Sequence, residues 1–399
     1  MKFSLIYPTR NRPAFVKVAL KFLEYQDFDA FEVIVCDNYS DISFSCEKQC
    51  GESNLKNLKY VRPPKDLSMS ENWNYALKFA KGDYVAFFTD KTFMLPKFLS
   101  KIENVLNLGD WDIINWTGNY YNPASFDDYF GKGIYYDINL KIKTSFYSIF
   151  NPKDELNIKG NGLISREEQN ESQYCRGKIV FGFYSSKLIS KIISNSGKLF
   201  HDISPDYTSM ILALSYAESA IEINSAGVVQ IHTDLSNGSL TRTSDSAMLG
   251  FINTLNNSNN IMQNLMVANA YASQHNIVAH DYLQLKLKYN LNFNFKIENW
   301  LVYIWEDLNK IKRKWEKVEN KRVQNKYLNN FFLNKLNFNQ KYKFIFFLLK
   351  RYVLQIKVLP ILFAKFLYSK LNNDIKRKLK LLFKDKKINE KKSIYDLIY

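Results

Sequence analysis

Phe3-Ser4-Leu5-Ile6-Tyr7-Pro8-Thr9-Arg10-Asn11-Arg12 decides the fold: a short, nearly unbroken apolar run that stops in a polar cluster. Two later stretches repeat its form. Phe31-Glu32-Val33-Ile34-Val35-Cys36 ends in Asp37-Asn38-Tyr39-Ser40-Asp41, and Tyr84-Val85-Ala86-Phe87-Phe88 ends in Thr89-Asp90-Lys91. Apolar runs of this length between helical patterns read as parallel strands buried on both faces. Ligands of such sheets bind outside the carboxyl ends of the strands. The three polar clusters are therefore expected on one rim, with residue types suited to a nucleotide.

The intervening segments read as helices. Pro13 suits a first turn, and Phe15, Val18, Ala19, Phe22 and Leu23 share one face of Ala14–Tyr25. Ser70 is expected to start a helix over 71–81 and Gly82 to stop it. Strand and helix alternating in this order call for right-handed crossovers. Asp112–Trp116 reads as a further strand, and 118–175 as a long irregular insertion at the rim. Helices at Ser186–Ser194 and about 207–218 follow, then strands at Ala220–Ile223 and Val228–Ile231. The expected fold class is α/β: a mixed, mostly parallel sheet flanked by helices over 1–245, then a helical, basic region over 246–399.

The 399 residues are 46% hydrophobic, enough for a large core and more than one domain. The first apolar run is too short for a signal peptide, and the longest are broken by Lys or Arg before ~18 residues, too short to span a bilayer. The cytoplasm is the expected location. Cys36, Cys46, Cys50 and Cys175 lack the paired spacing of a zinc site and are expected to be reduced thiols. Charge is divided unevenly: 281–399 holds 28 Lys and Arg against 10 Asp and Glu, whereas 1–280 holds 27 against 29.

Four ordered pieces resemble the GT-A glycosyltransferases of the large inverting family 2: Tyr7–Arg12, Val35–Asp41, Glu71–Asp90 with its Asn-Trp-Asn-x-Ala-Leu core, and Ser204-Pro205-Asp206-Tyr207. The resemblance covers about 1–240 and implies a GT-A, Rossmann-like fold. It implies transfer of a sugar from a nucleotide-diphosphate donor, UDP being the commonest, to a saccharide or lipid-linked saccharide acceptor in bacterial capsule or lipooligosaccharide assembly. It assigns Pro8, Thr9, Arg10, Arg12 and Asp37 to the nucleotide pocket, together with Asp90 and Lys91. Asp206 falls where the family has the base that removes the acceptor proton; the same position would also suit a carboxylate capping a helix.

Thr89-Asp90-Lys91 falls where the family has its metal-binding acidic run, here reduced to one Asp. Two accounts stay open. Asp90, with His232, holds Mn²⁺ or Mg²⁺ against the diphosphate, or Lys91 supplies the positive charge and metal matters less. Arg166 and Arg176 are candidates for phosphate or an acidic acceptor, and His201 for a cap or an acceptor contact. Two rivals are a nucleotidyltransferase, which would need a Gly-rich phosphate loop that Pro8–Pro13 lacks, and a degenerate scaffold acting through its tail. In that tail, Lys341–Leu371 and Lys376–Lys384 interleave apolar and basic residues, as in segments that lie on the inner face of an anionic membrane. Packing within a helical bundle is the alternative, and nucleic acid is disfavoured because no nucleic-acid motif is present.

Overall fold

The structure, a computed structural model, describes residues 1–315 apart from 126, 139–144, 167, 202, 234–244, 256 and 269, together with 341–347 and 391–398. The first hundred residues follow the expected alternation: β1 (Phe3–Thr9), α1 (Pro13–Leu23), β2 (Phe31–Asp37), α2 (Glu47–Gly51), β3 (Leu58–Val61), α3 (Met69–Leu77), β4 (Tyr84–Phe87), β5 (Thr92–Met94) and α4 (Phe98–Leu106). β1 lies between β2 and β4 and runs parallel to both, with β3 parallel on the far side of β2. Thr9 pairs with Asp37, so β1 and β2 end together, and β4 ends at Phe87 opposite Ile6, so the loops after all three leave the same edge of the sheet. All residues of β1 and β2 are buried, as continuous apolar runs require.

α3 starts two residues before the expected point. Ser68 and Glu71 form a capping box: the Ser68 hydroxyl accepts from the Glu71 N–H, and the Glu71 carboxylate accepts from the Ser68 N–H at 2.9 Å. A reciprocal cap of this kind outcompetes Ser70, which sits buried in the first turn. The helix ends at Leu77, before Gly82. Gly82 is required for a different reason, since a Cβ there would stand 2.6 Å from the Ser4 backbone nitrogen. Trp73 holds α3 on the sheet, stacked 5.3 Å from Phe87 and edge-on to Phe200 at 5.1 Å; each such pair adds about 1 kcal/mol beyond its buried area.

The second half is more strand-rich than expected. It comprises β6 (Ile113–Pro123), β7 (Lys132–Tyr136), β8 (Tyr147–Ile149), α5 (Pro152–Gly160), α6 (Glu171–Cys175), β9 (Gly182–Ser185), α7 (Ser186–Ser196), α8 (Pro205–Tyr216) and β10 (Ala220–Ile231). β9 inserts antiparallel between β4 and β6, and β10 lies parallel to β6. The two expected late strands are one, β10, whose register against β6 shifts around Ala226. The 118–175 stretch is not irregular throughout. β7 pairs with β6 and β8 with β10, partners too distant in sequence for local periodicity to reveal. β11 (Lys391–Ser393) extends the sheet at β7, giving eleven strands among the described residues. The result is the mixed, mostly parallel sheet flanked by helices that the sequence predicts.

The chain divides into two compact units. The first, Met1–Phe295 with Asn389–Tyr399, contains the whole sheet. It runs past the 245/246 boundary expected from sequence because the helices Asp245–Asn253, Ser258–Asn264 and Gln274–Tyr289 share an apolar cluster with Ile203, through Met248, Ile252, Ile261 and Ile277. The second unit, Lys296–Ile388, contains the helix Ile297–Trp315 and helical residues 341–347. Most of the basic segments singled out in the tail lie outside the described residues. Among those described, no helix is long and apolar enough to cross a membrane.

Candidate active site

The loops after β1 and β4 and the start of α8 open onto one cleft of about 1170 Å³ in the first unit. Pro8, Thr9, Arg10, Arg12, Asp90, Lys91 and Asp206 all line it. The β1 and β2 loops are knitted together. Asn11, in the left-handed region at φ 54°, donates its N–H to the Ser40 hydroxyl at 2.7 Å, and its side-chain oxygen accepts from the Asp41 N–H at 2.9 Å. Tyr39 is also left-handed, at φ 51°. Non-glycine residues in that region cost energy and gather at functional loops.

Asp37 does not line the cleft. It is fully buried; one carboxylate oxygen accepts from the Cys46 N–H at 2.9 Å and from the Tyr60 hydroxyl at 3.1 Å, while the other accepts from the Ser40 hydroxyl. Its observed work is to hold the β2 loop from beneath. Tyr60 in turn lines a second hollow of about 670 Å³, with Pro13, Ser45 and Arg62. His232 is exposed and also lies off the cleft lining; its backbone N–H donates to Tyr121 O at 2.8 Å. His201 is buried, its ring 3.0 Å from Lys198 O, and Arg176 pairs with Glu222 at 3.1 Å.

Asp90 is the one carboxylate of the β4 loop. Arg12 donates to one of its oxygens at 2.9 Å and the Thr9 hydroxyl to the other at 3.4 Å. Burial pushes its carboxyl up, while Arg12 and Lys91 pull the other way. A divalent cation needs several oxygen ligands. Among the described residues no group of three His, Cys, Asp or Glu side chains comes together for one, and the lone carboxylate already faces a guanidinium. The described side chains therefore do not fit a resident cation.

Asp206 lies in the first turn of α8, where Pro205 takes the first helical position. Asp281 accepts from the Ser204 N–H at 2.9 Å, so the helix start draws a carboxylate from another helix. Asp206 is half-buried and lines the cleft. Beside it stands an aromatic and cationic layer. The buried Lys178 ammonium lies 3.4 Å from the Tyr174 ring centre and 4.4 Å from that of Tyr207. Burial by itself would raise the Tyr174 phenol; Lys178 and Arg166 outweigh it and pull the phenol below its ordinary range. The far wall is apolar, built from Met248, Phe251, Tyr271, Ile277 and Val278.

Sequence reading missed much of this lining. Asp66, which holds Arg10 through two bonds at 2.8 and 2.9 Å, carries no local signal. Neither do Tyr174, Gln230 or the wall after residue 245, because each reaches the cleft through long-range packing.

A family model described as Glycosyl transferase family 2 matches residues 4–166. That stretch, less than half of the chain, is similar to the glycosyltransferases of family 2. Over 179 residues it is 27% identical to a Campylobacter jejuni protein named GalNAc(5)-diNAcBac-PP-undecaprenol beta-1,3-glucosyltransferase, covering 43% of this chain and 56%, just over half, of that relative. Among solved structures, Staphylococcus aureus TarS 1–349 with UDP-GlcNAc is similar at a TM-score of 0.46 and 14% identity, covering 83% of this chain and 89% of that one. A mannosyltransferase from Pyrobaculum calidifontis with GDP-Man and Mn²⁺ is similar at a TM-score of 0.37 and 13% identity, covering 86% and 83%.

Proposed function

We propose that the protein is an inverting glycosyltransferase that moves a sugar from a nucleoside-diphosphate donor to a saccharide acceptor. The observation that carries this reading is the convergence of the β1 loop, the β4 loop and Asp206 on one cleft. The Pro8–Arg12 and Thr89–Lys91 loops receive the nucleotide and diphosphate. Asp206 receives the proton of the acceptor hydroxyl as that oxygen bonds to the anomeric carbon. The bond from that carbon to the diphosphate breaks, and the nucleoside diphosphate leaves with the negative charge. Asp37 orders the pocket from below.

The apolar wall suits a sugar's C–H faces or an attached lipid. The name of the Campylobacter jejuni relative, which specifies an undecaprenol-linked saccharide, supports a lipid-linked acceptor and a role in surface polysaccharide assembly, capsule or lipooligosaccharide. UDP is the expected nucleotide. Exposed Tyr342, Ile345 and Phe346 beside Lys341 and Lys343 support contact with an anionic membrane surface on its cytoplasmic side.

Calorimetric titration with UDP, GDP, ADP and CDP, with Mn²⁺, with Mg²⁺ and with EDTA, tests the nucleotide site. One diphosphate is expected to bind far more tightly than the rest. Asp206→Asn is expected to keep that affinity while losing on the order of 10²–10⁴-fold in turnover. Failure of every diphosphate to bind would overturn the reading.

A further inference from the structure

We infer that Arg166 is the group that takes the charge of the leaving diphosphate, standing in for the divalent cation that the described side chains do not fit. This rests on the reading of the cleft as a nucleoside-diphosphate site.

Three observations carry it. Arg166 lines the same cleft as Asp90 and Lys91. Its guanidinium is held in an aromatic cage, with its centre 4.0 Å from the Tyr174 ring, 4.9 Å from Tyr120 and 5.7 Å from Phe181. It is also tied to the β4 loop by a hydrogen-bond chain. Arg166 Nη2 donates to Gln230 Oε1 at 3.3 Å, Gln230 Nε2 donates to the Thr92 hydroxyl at 3.3 Å, and Thr92 meets Thr89 at 2.7 Å.

The arginine's remaining fixed partner is Glu171, which accepts from Nε at 3.1 Å and from Nη2 at 3.3 Å and also accepts from the Tyr120 hydroxyl. Among the described residues Nη1 has no protein partner. A caged guanidinium with one edge anchored and a side chain 37% exposed is set to receive an anion. Arg166 joins Arg12 and Lys91 as a third cationic side chain in this cleft, set against the carboxylates of Asp90 and Glu171.

The test is calorimetry of UDP, GDP and inorganic pyrophosphate in EDTA, on the full chain and on three variants. The wild type is expected to bind its nucleoside diphosphate and pyrophosphate without metal. Arg166→Gln should weaken both by on the order of tenfold or more, and Arg166→Lys by less. Glu171→Gln removes a competing carboxylate and should tighten both several-fold, a sign that a merely structural role would not give. Thermal melting checks that the variants fold, and Glu171→Gln keeps the idea testable where Arg166→Gln does not. Diphosphate binding that disappears in EDTA, or that survives unchanged in Arg166→Gln and Glu171→Gln, would overturn the inference and leave the nucleotide site standing. Absence of all binding with and without metal would overturn both.

Discussion

At the scale of single residues, Asp90 shows what a lone carboxylate does in a buried loop. A lone carboxylate in a buried loop cannot share its charge with neighbouring acids, and it takes Arg12 and Thr9 as partners instead. Burial nonetheless raises its carboxyl above the ordinary 3.8. The folded state then binds this proton more readily than the unfolded chain. That contribution to stability is complete below the unfolded value and is lost as pH rises through the raised one. Asp90→Asn removes the titration, so its melting temperature should gain on the wild type's as pH rises from about 4 to 7. A wild type that gains on the variant over that range would mean that the Arg12 pair outweighs burial. The sequence made Asp90 visible through its place after an apolar run. It could not disclose that Asp37, in the same kind of place, faces inward to Tyr60, Ser40 and Cys46, because strand position fixes a rim and not the direction of a side chain there.

Among the elements, the loop between α6 and β9 depends on one side chain. Asn115 on β6 is fully buried. Its amide nitrogen donates to Cys175 O, Lys178 O and Phe181 O at 3.0–3.3 Å, and its oxygen accepts from the Gly177 N–H at 2.8 Å. It thus completes the backbone bonding of the turn that carries Lys178. Asn115→Leu would leave those groups buried without partners and should cost about 3 kcal/mol. Denaturant unfolding with unchanged slope checks this, and a loss below about 1 kcal/mol would show that the turn satisfies itself. Elements such as β1, β2, β4, α1 and α7 were legible because continuous apolar runs or a 3.6-residue period mark them locally. β7, β8 and the long reach of β6 were not, since aromatic, half-buried strands take their identity from partners dozens of residues away.

Across the whole molecule, the sheet is finished by a distant piece of chain. β11 pairs with β7, Ser393 Oγ and the Ile394 N–H both donate to Phe130 O at 2.9 and 3.2 Å, and Ile394 is fully buried. Covering an edge strand hides backbone groups that would otherwise pair with another chain. Ile394→Asp places a charge in that packing and should cost about 3 kcal/mol. It should also open Lys132–Tyr136 to limited proteolysis; a digestion pattern like the wild type's would show that the edge is protected by something else.

The cleft's two walls differ in how they relate to the family match. The polar wall, from Pro8 to Lys91, falls inside the family match, whereas Met248, Phe251 and Tyr271 fall well beyond it. The ion pairs and loop ties of the first wall are made among its own residues, so a change in the second leaves them in place. The cleft can therefore change shape on one side while its other side stays fixed.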